Sequence, residues 1–169
     1  MEIEFRDSLD AQAPRIVARI VDQDQIPSDL PAAIREGAQA SRFKGKPGQV
    51  FEGFAEVDGK VVRLAIAGAG KPGKESRHAA LERAGAALTA KFLTSGESAM
   101  VIDAGASGLD AQATAAVVLG ARLRAWRWDE YRTRLRDEQK RTLGKIVVYG
   151  APAGSEDAWR DAQAVARGV

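Results

Sequence analysis

Residues Val50–Gly73 read VFEGFAEVDGKVVRLAIAGAGKPG, and the order of features in this stretch decides the fold class. Asp58-Gly59 sits between two runs rich in β-branched and aromatic residues, and both of its residues reach positive φ easily, as a two-residue hairpin turn requires. In the second run Val62, Leu64 and Ile66 share one face while Arg63 falls on the other, the period-2 signature of a strand. The stretch therefore predicts a hairpin of Val50–Val57 and Lys60–Ala67. Glycine-rich residues 68–73 follow, and beyond them Leu81, Ala84, Leu88 and Phe92 recur at helical spacing, predicting a helix from Glu75 to about Leu93 that packs on the sheet. Thr94-Ser95-Gly96 ends it.

Upstream, Ile3–Phe5 and Ile16–Val21 read as short strands, and a helix is expected after Ser28 or Asp29, running to about Ala40 with Ser28 as its cap. Downstream, Ala99–Ile102 is a continuous apolar run, as expected of a central parallel strand buried on both faces. Ser107 and Asp110 have capping-box spacing ahead of a second long helix whose apolar stripe would be Ala115, Leu119, Leu123 and Trp126. Ile146–Tyr149 reads as another buried strand, and Glu156–Arg167 as a last helix. Strands alternating with long helices after a hairpin predict an α/β fold, a single domain with a mixed sheet flanked by helices and largely parallel in its second half. Asp129–Lys145 is the one long irregular connection. Such loops are uncommon in compact domains, so it is functional, an interface, or the host of a further short element.

Composition narrows the functional classes. The chain has 169 residues, enough for one compact α/β domain and too few for two of ordinary size. Hydrophobic residues at 45% and charged residues at 28% exclude a disordered or fibrous class. The absence of cysteine removes disulfides, thiolate chemistry and Cys-containing zinc sites. No apolar stretch approaches a membrane span, and MEIEFRDSLD carries acids where a signal peptide needs basic and then apolar residues, so a cytoplasmic protein without membrane contact is expected.

Three features invite a chemical reading. Gly68-Ala69-Gly70-Lys71-Pro72-Gly73-Lys74 satisfies G-x-G-x-x-G between a strand and a helix, where free N–H groups could meet a phosphate, and it nearly matches a P-loop. Glu75, however, stands where a P-loop needs Ser or Thr. Asp103, the nearest acid for a dinucleotide site, lies 30 residues beyond Gly73, and a hairpin arm is an unusual opening strand for a βαβ unit. A structural turn is the first reading of Gly68, Gly70 and Gly73, and phosphate binding the second. His78, the only histidine, has no second histidine or thiol beside it and reads as a packed or surface residue. No catalytic or metal-ligating residue is identified. Residues 122–145 hold nine basic residues against four acids, with Arg122, Arg124, Arg127, Arg132 and Arg134 interleaved with Trp126, Trp128 and Tyr131. Such a segment could track and stack nucleic acid. The plainer reading anchors the tryptophans in the core and leaves the arginines on a solvated face.

Leu119–Arg134, LGARLRAWRWDEYRTR, adds a resemblance. Its Trp126-Arg127-Trp128-Asp129-Glu130-Tyr131-Arg132 resembles the aromatic-x-aromatic-Asp-x-Tyr-base element that ends the N-terminal domain of the cytosol (leucyl) aminopeptidases. Trp126 stands where that family often has Tyr, and Trp128 where it commonly has Phe. The likeness extends to the hairpin, to Ala69-Gly70-Lys71, to Arg83-Ala84-Gly85-Ala86-Ala87 and to the Ala162–Ala166 helix, covering about residues 43–169 well and the first 40 loosely. It implies a macro-domain-like fold over residues 1–169, followed in the family by a catalytic domain that binds two divalent metals, zinc or manganese, and assembles into a homo-hexamer. That domain's Asn-Thr-Asp-Ala-Glu-Gly-Arg signature is absent here, so no catalytic or metal residue carries over. The resemblance implies a non-catalytic domain serving assembly or active-site access. Its own catalytic domain and sister subunits are the expected partners, and no cofactor is expected in this chain. A nucleotide or ADP-ribose module, and a nucleic-acid module, are the alternatives.

Overall fold

The computed structural model describes residues 1–129 and 134–168. In chain order the elements are β1 (Glu2–Arg6), β2 (Ile16–Val21), α1 (Ala32–Ala40), β3 (Val50–Val57), β4 (Lys60–Gly68), α2 (Arg77–Phe92), β5 (Ala99–Asp103), α3 (Ala111–Asp129), a 3₁₀ turn at Asp137–Gln139, β6 (Lys145–Tyr149) and α4 (Ser155–Arg167). The strands form one six-stranded sheet in the order β1-β6-β5-β2-β4-β3. Every neighbouring pair is parallel except β3 and β4, so the mixed α/β domain expected from the sequence is the one observed. β4 has two roles: it closes the hairpin against β3, and it lies parallel to β2, so α2 carries the chain over β2 to β5. A hairpin arm thus also opens a parallel crossover.

Alternation along β4 divides the core. Leu64 and Ile66 join Ile34 and Ala38 of α1 and Phe43 in the smaller cluster, while Ala65 and Ala67 face the larger one with Leu81, Leu88 and Phe92 of α2. The larger cluster continues through Met100, Ile102, Val117, Ile146 and Trp159. The predicted α2 stripe is fully realised, since Leu81, Ala84, Leu88 and Phe92 are all buried. Gly85 of α2 and Gly120 of α3 let the two backbones touch. A Cβ on Gly85 would lie 1.9 Å from the Val117 carbonyl oxygen, and one on Gly120 would lie 1.8 Å from that of Glu82.

Three local expectations are corrected. α1 starts at Ala32 with Pro31 as its N-cap, and Ser28 caps nothing. Proline disfavours the helical region for the residue before it, so the helix cannot begin ahead of Pro31. Ser107 does not cap α3. Asp110 does, accepting from the Ala113 amide at 2.7 Å, while Ser107 donates to the Asp103 carbonyl and accepts from the Ile20 amide. The α3 stripe is also different, because Leu123 and Trp126 are 41% and 62% exposed while Ala115, Ala116, Val117, Val118, Ala121 and Ala125 are buried. A helix wedged between α2 and α4 turns its small residues inward on two sides, which a single stripe of large residues does not describe. The long connection holds the Asp137–Gln139 turn, and its Glu130–Thr133 portion lies outside the described residues.

Candidate functional site

The glycine-rich loop is held by the protein's own groups. The amides of Gly68, Ala69 and Gly70 donate to the carbonyls of Gln49, Val21 and Gly45 at 2.9, 2.9 and 3.0 Å. The carbonyls of Ala69 and Gly70 accept from Arg77, whose other Nη sits 2.6 Å from Asp22. Gly68 packs so closely on Gly45 and Lys46 that a Cβ there would lie 2.3 Å from backbone atoms, and Gly70, at φ +69°, abuts Pro47. Packing therefore accounts for both glycines, and their amides are already used. Gly73, at φ +77°, has open space around it. Lys71 and Lys74 line a cavity of about 210 Å³ with Gln23, Ser76 and Arg77.

The basic segment divides along α3. Arg122 lies over the Trp159 ring, 5.8 Å from its centroid. Arg124 borders a separate groove with Glu82 and Arg83 of α2. Arg134 is exposed, the side chain of Arg127 is not described, and Arg132 lies outside the described residues. Arg122 and Arg124 thus flank Leu123 on two different grooves and do not form one stripe. Trp126 departs from the core-anchor expectation, since it is largely exposed.

The feature that sequence reasoning missed is the wall opposite Arg122. Trp159, Gln163, Ala166 and Arg167 of α4 face Leu119, Arg122, Leu123 and Trp126 of α3 across a groove of about 580 Å³. Trp159 is buried and forms the groove's side. The readable signal was Trp159 with Ala162 and Ala166, an apolar line at helical spacing that continues α4's buried face beyond Ala158.

Ion pairs lie elsewhere. Arg63 grips Glu52 through two bonds, 2.5 and 3.1 Å, and lies over the rings of Phe54 and Phe92. Burial opposes ionisation of Glu52, but Arg63 and then Lys91 outweigh it and hold the carboxyl below its ordinary value. At the far edge, hydrogen bonds from Arg6 and then Lys145 hold the Glu4 carboxyl at about 2. His78 is a surface residue, its Nε2 3.0 Å from Glu82. Asp103 and Asp110 each accept from a local backbone amide. Among the described residues no three His, Asp or Glu side chains come together in a way that could hold a metal ion, so these residues do not fit a metal centre. Nor is any described helix long and apolar enough to cross a membrane.

Known proteins resemble this arrangement in sequence and in fold. The family described as "Cytosol aminopeptidase family, N-terminal domain" matches residues 17–135. A probable cytosol aminopeptidase of Rhizobium etli is 29% identical over 145 residues, covering 84% of this chain and 29% of the relative. One from Rhodopseudomonas palustris is 35% identical over 118 residues, covering 69% and 23%. Among solved structures, a tomato leucine aminopeptidase mutant superposes with a TM-score of 0.67 at 18% identity, over 99% of this chain and 36% of that one. The bottromycin maturation enzyme BotP gives 0.66 at 23%, over 92% and 31%. At such identities the structures speak for the fold alone. The chain spans less than a third of the length of the curated relatives it matches. On the extent of the family match, the chain belongs to the cytosol aminopeptidase family and corresponds to that family's N-terminal domain.

Proposed function

We propose that this domain is catalytically silent and serves assembly or active-site access in a cytoplasmic, homo-hexameric aminopeptidase that removes N-terminal amino acids from peptides. In that enzyme two divalent metals, zinc or manganese, would be bound outside this domain and would activate water and polarise the scissile carbonyl. The supporting observation is the groove between α3 and α4. Large apolar side chains displayed around a concave surface mark a place for another protein surface, and Leu123 and Trp126 are so displayed here. The chain alone, given zinc or manganese, is expected to leave a leucine anilide intact. Metal-dependent release of the aniline by this chain would overturn the reading. A second reading, nucleotide or ADP-ribose binding beside Gly73, draws on Lys71 and Lys74 lining one cavity. It requires a rise in melting temperature with millimolar ADP-ribose, because a ligand selective for the native state stabilises by mass action.

A further inference from the structure

The two ends of the sheet are built differently. β1 is five residues long, and its Glu2 and Glu4 meet Lys145 while Arg6 pairs with Glu4, a cluster of charge that blunts the edge. β3 is eight residues long, pairs one-to-one with β4 without a bulge, and contains neither lysine nor proline. Its exposed side chains include Phe54 and Val57, at 60% and 38%. None of the usual devices that keep an edge strand single, apart from its glutamates, is present.

Geometry fixes which backbone groups of β3 face outward. In an antiparallel ladder, hydrogen-bonded and non-bonded pairs alternate, and the pair that closes a two-residue hairpin is a bonded one. Val57 and Lys60 are that pair. The odd-numbered residues of β3 therefore bond inward to β4, consistent with the Gly68 amide donating to Gln49 one step before the strand. The N–H and C=O groups of Val50, Glu52, Phe54 and Glu56 point away from the sheet. Among the described residues, no backbone group beyond the β3–β4 ladder and no side chain bonds to them.

We infer that β3 pairs with β3 of a second copy of this chain, antiparallel, about a two-fold axis normal to the sheet. Such an axis keeps α2 of both copies on the same side, so only residues of equal parity can oppose one another. The charge pattern then selects the register. Centring the axis on Phe54 would set Glu52 directly against Glu56 of the other copy, a like-charge pair that disfavours it. Centring it on Gly53 sets Glu52 against Phe54 and Glu56 against Val50, so each carboxylate meets an uncharged neighbour. About eight new backbone hydrogen bonds result, because each bonded pair exchanges two. The edge is thus complementary to itself at one register, which is the argument for a second copy over an unrelated strand. The inference stands apart from the aminopeptidase reading, since it concerns this chain alone.

Sedimentation and residue-resolved amide exchange on the 169-residue chain test it together. The expected result is a dimer in which the amides of Val50, Glu52, Phe54 and Glu56 slow by about 10-fold or more as concentration rises, while those of Phe51, Gly53 and Ala55 stay protected throughout. Phe54→Pro removes one outward donor and no inward one, and Phe54→Lys places a charge on the edge; both are expected to give monomers. Unchanged protection at the odd-numbered amides shows that either variant is folded. Val61→Lys, which removes an exposed apolar side chain from β4 instead, is expected to leave the dimer intact. A monomer at every concentration overturns the inference, as does a dimer whose even-numbered amides remain fast or survive both Phe54 substitutions. Slowing of those amides only when an extended peptide is added overturns it in favour of peptide capture.

Discussion

The two flanks of α3 are made from the same helix and behave oppositely. Toward α2, Gly120 and Gly85 bring backbones into contact and leave no room for even a methyl group. Toward α4, Leu119, Leu123 and Trp126 meet Trp159 and Ala166 across open space. Close approach here comes from removing side chains. Glycine costs helix propensity, roughly 1 kcal/mol each relative to alanine, and the contact must offset that cost. On the other flank a groove separates the large residues from α4, and the apolar surface of Leu123 and Trp126 remains available.

The comparison breaks most visibly at Gly120. Gly120→Val should destabilise the domain by about 3 kcal/mol, because overpacking a fitted contact moves backbone rather than rotamers, and chemical denaturation measures this directly. Loss of under 1 kcal/mol would mean that α2 and α3 can separate freely. The open flank should tolerate far more. Arg122→Ala is expected to cost about 0.5–1 kcal/mol through its lost contact over the Trp159 ring, and Trp126→Ser to stay within about 0.5 kcal/mol. A Trp126→Ser penalty near that of Gly120→Val would show that the groove is closed in solution.

The smallest effect lies away from both flanks and serves as their reference. The Glu4 carboxyl, held at about 2 by Arg6 and then Lys145, is ionised more readily in the folded chain than in the unfolded one. Its contribution is therefore present above the ordinary carboxylate value of about 4.5 and is lost as pH falls from there toward about 2. Glu4→Gln should flatten the pH dependence of the melting temperature in that window only. The substitution leaves the flanks of α3 untouched, so a shift at neutral pH of the size expected for Gly120→Val would contradict the assignment.

Sequence made the strands and most helices legible because each carries a periodicity of its own. The hairpin announced itself through Asp58-Gly59, and α2 through Leu81, Ala84, Leu88 and Phe92. What escaped was whatever depends on a second element. In the sequence Leu123 and Trp126 look like core residues of the α3 stripe until α4 is placed, and nothing local to Trp159 points to its partner, Arg122, which lies 37 residues upstream. The family resemblance was carried by local order around Trp126 and Tyr131, whereas the groove belongs to the tertiary fold. The glycine loop shows the same limit. G-x-G-x-x-G describes backbone freedom, and only the structure reveals that Gln49, Val21, Gly45 and Arg77 have already taken up the amides of Gly68, Ala69 and Gly70 and the carbonyls of Ala69 and Gly70.

Contact between bare helix backbones has a mechanical consequence. Side-chain interfaces yield, because rotamers can shift by small increments and absorb strain. The Gly85–Gly120 junction has no such compliance. A load applied at the Trp126 end of α3 is therefore transmitted to α2 as movement of a stiff pair. α2 is anchored at Arg77 to Asp22 and the loop after β4, so the load arrives at the rim of the sheet more than 40 residues away in sequence.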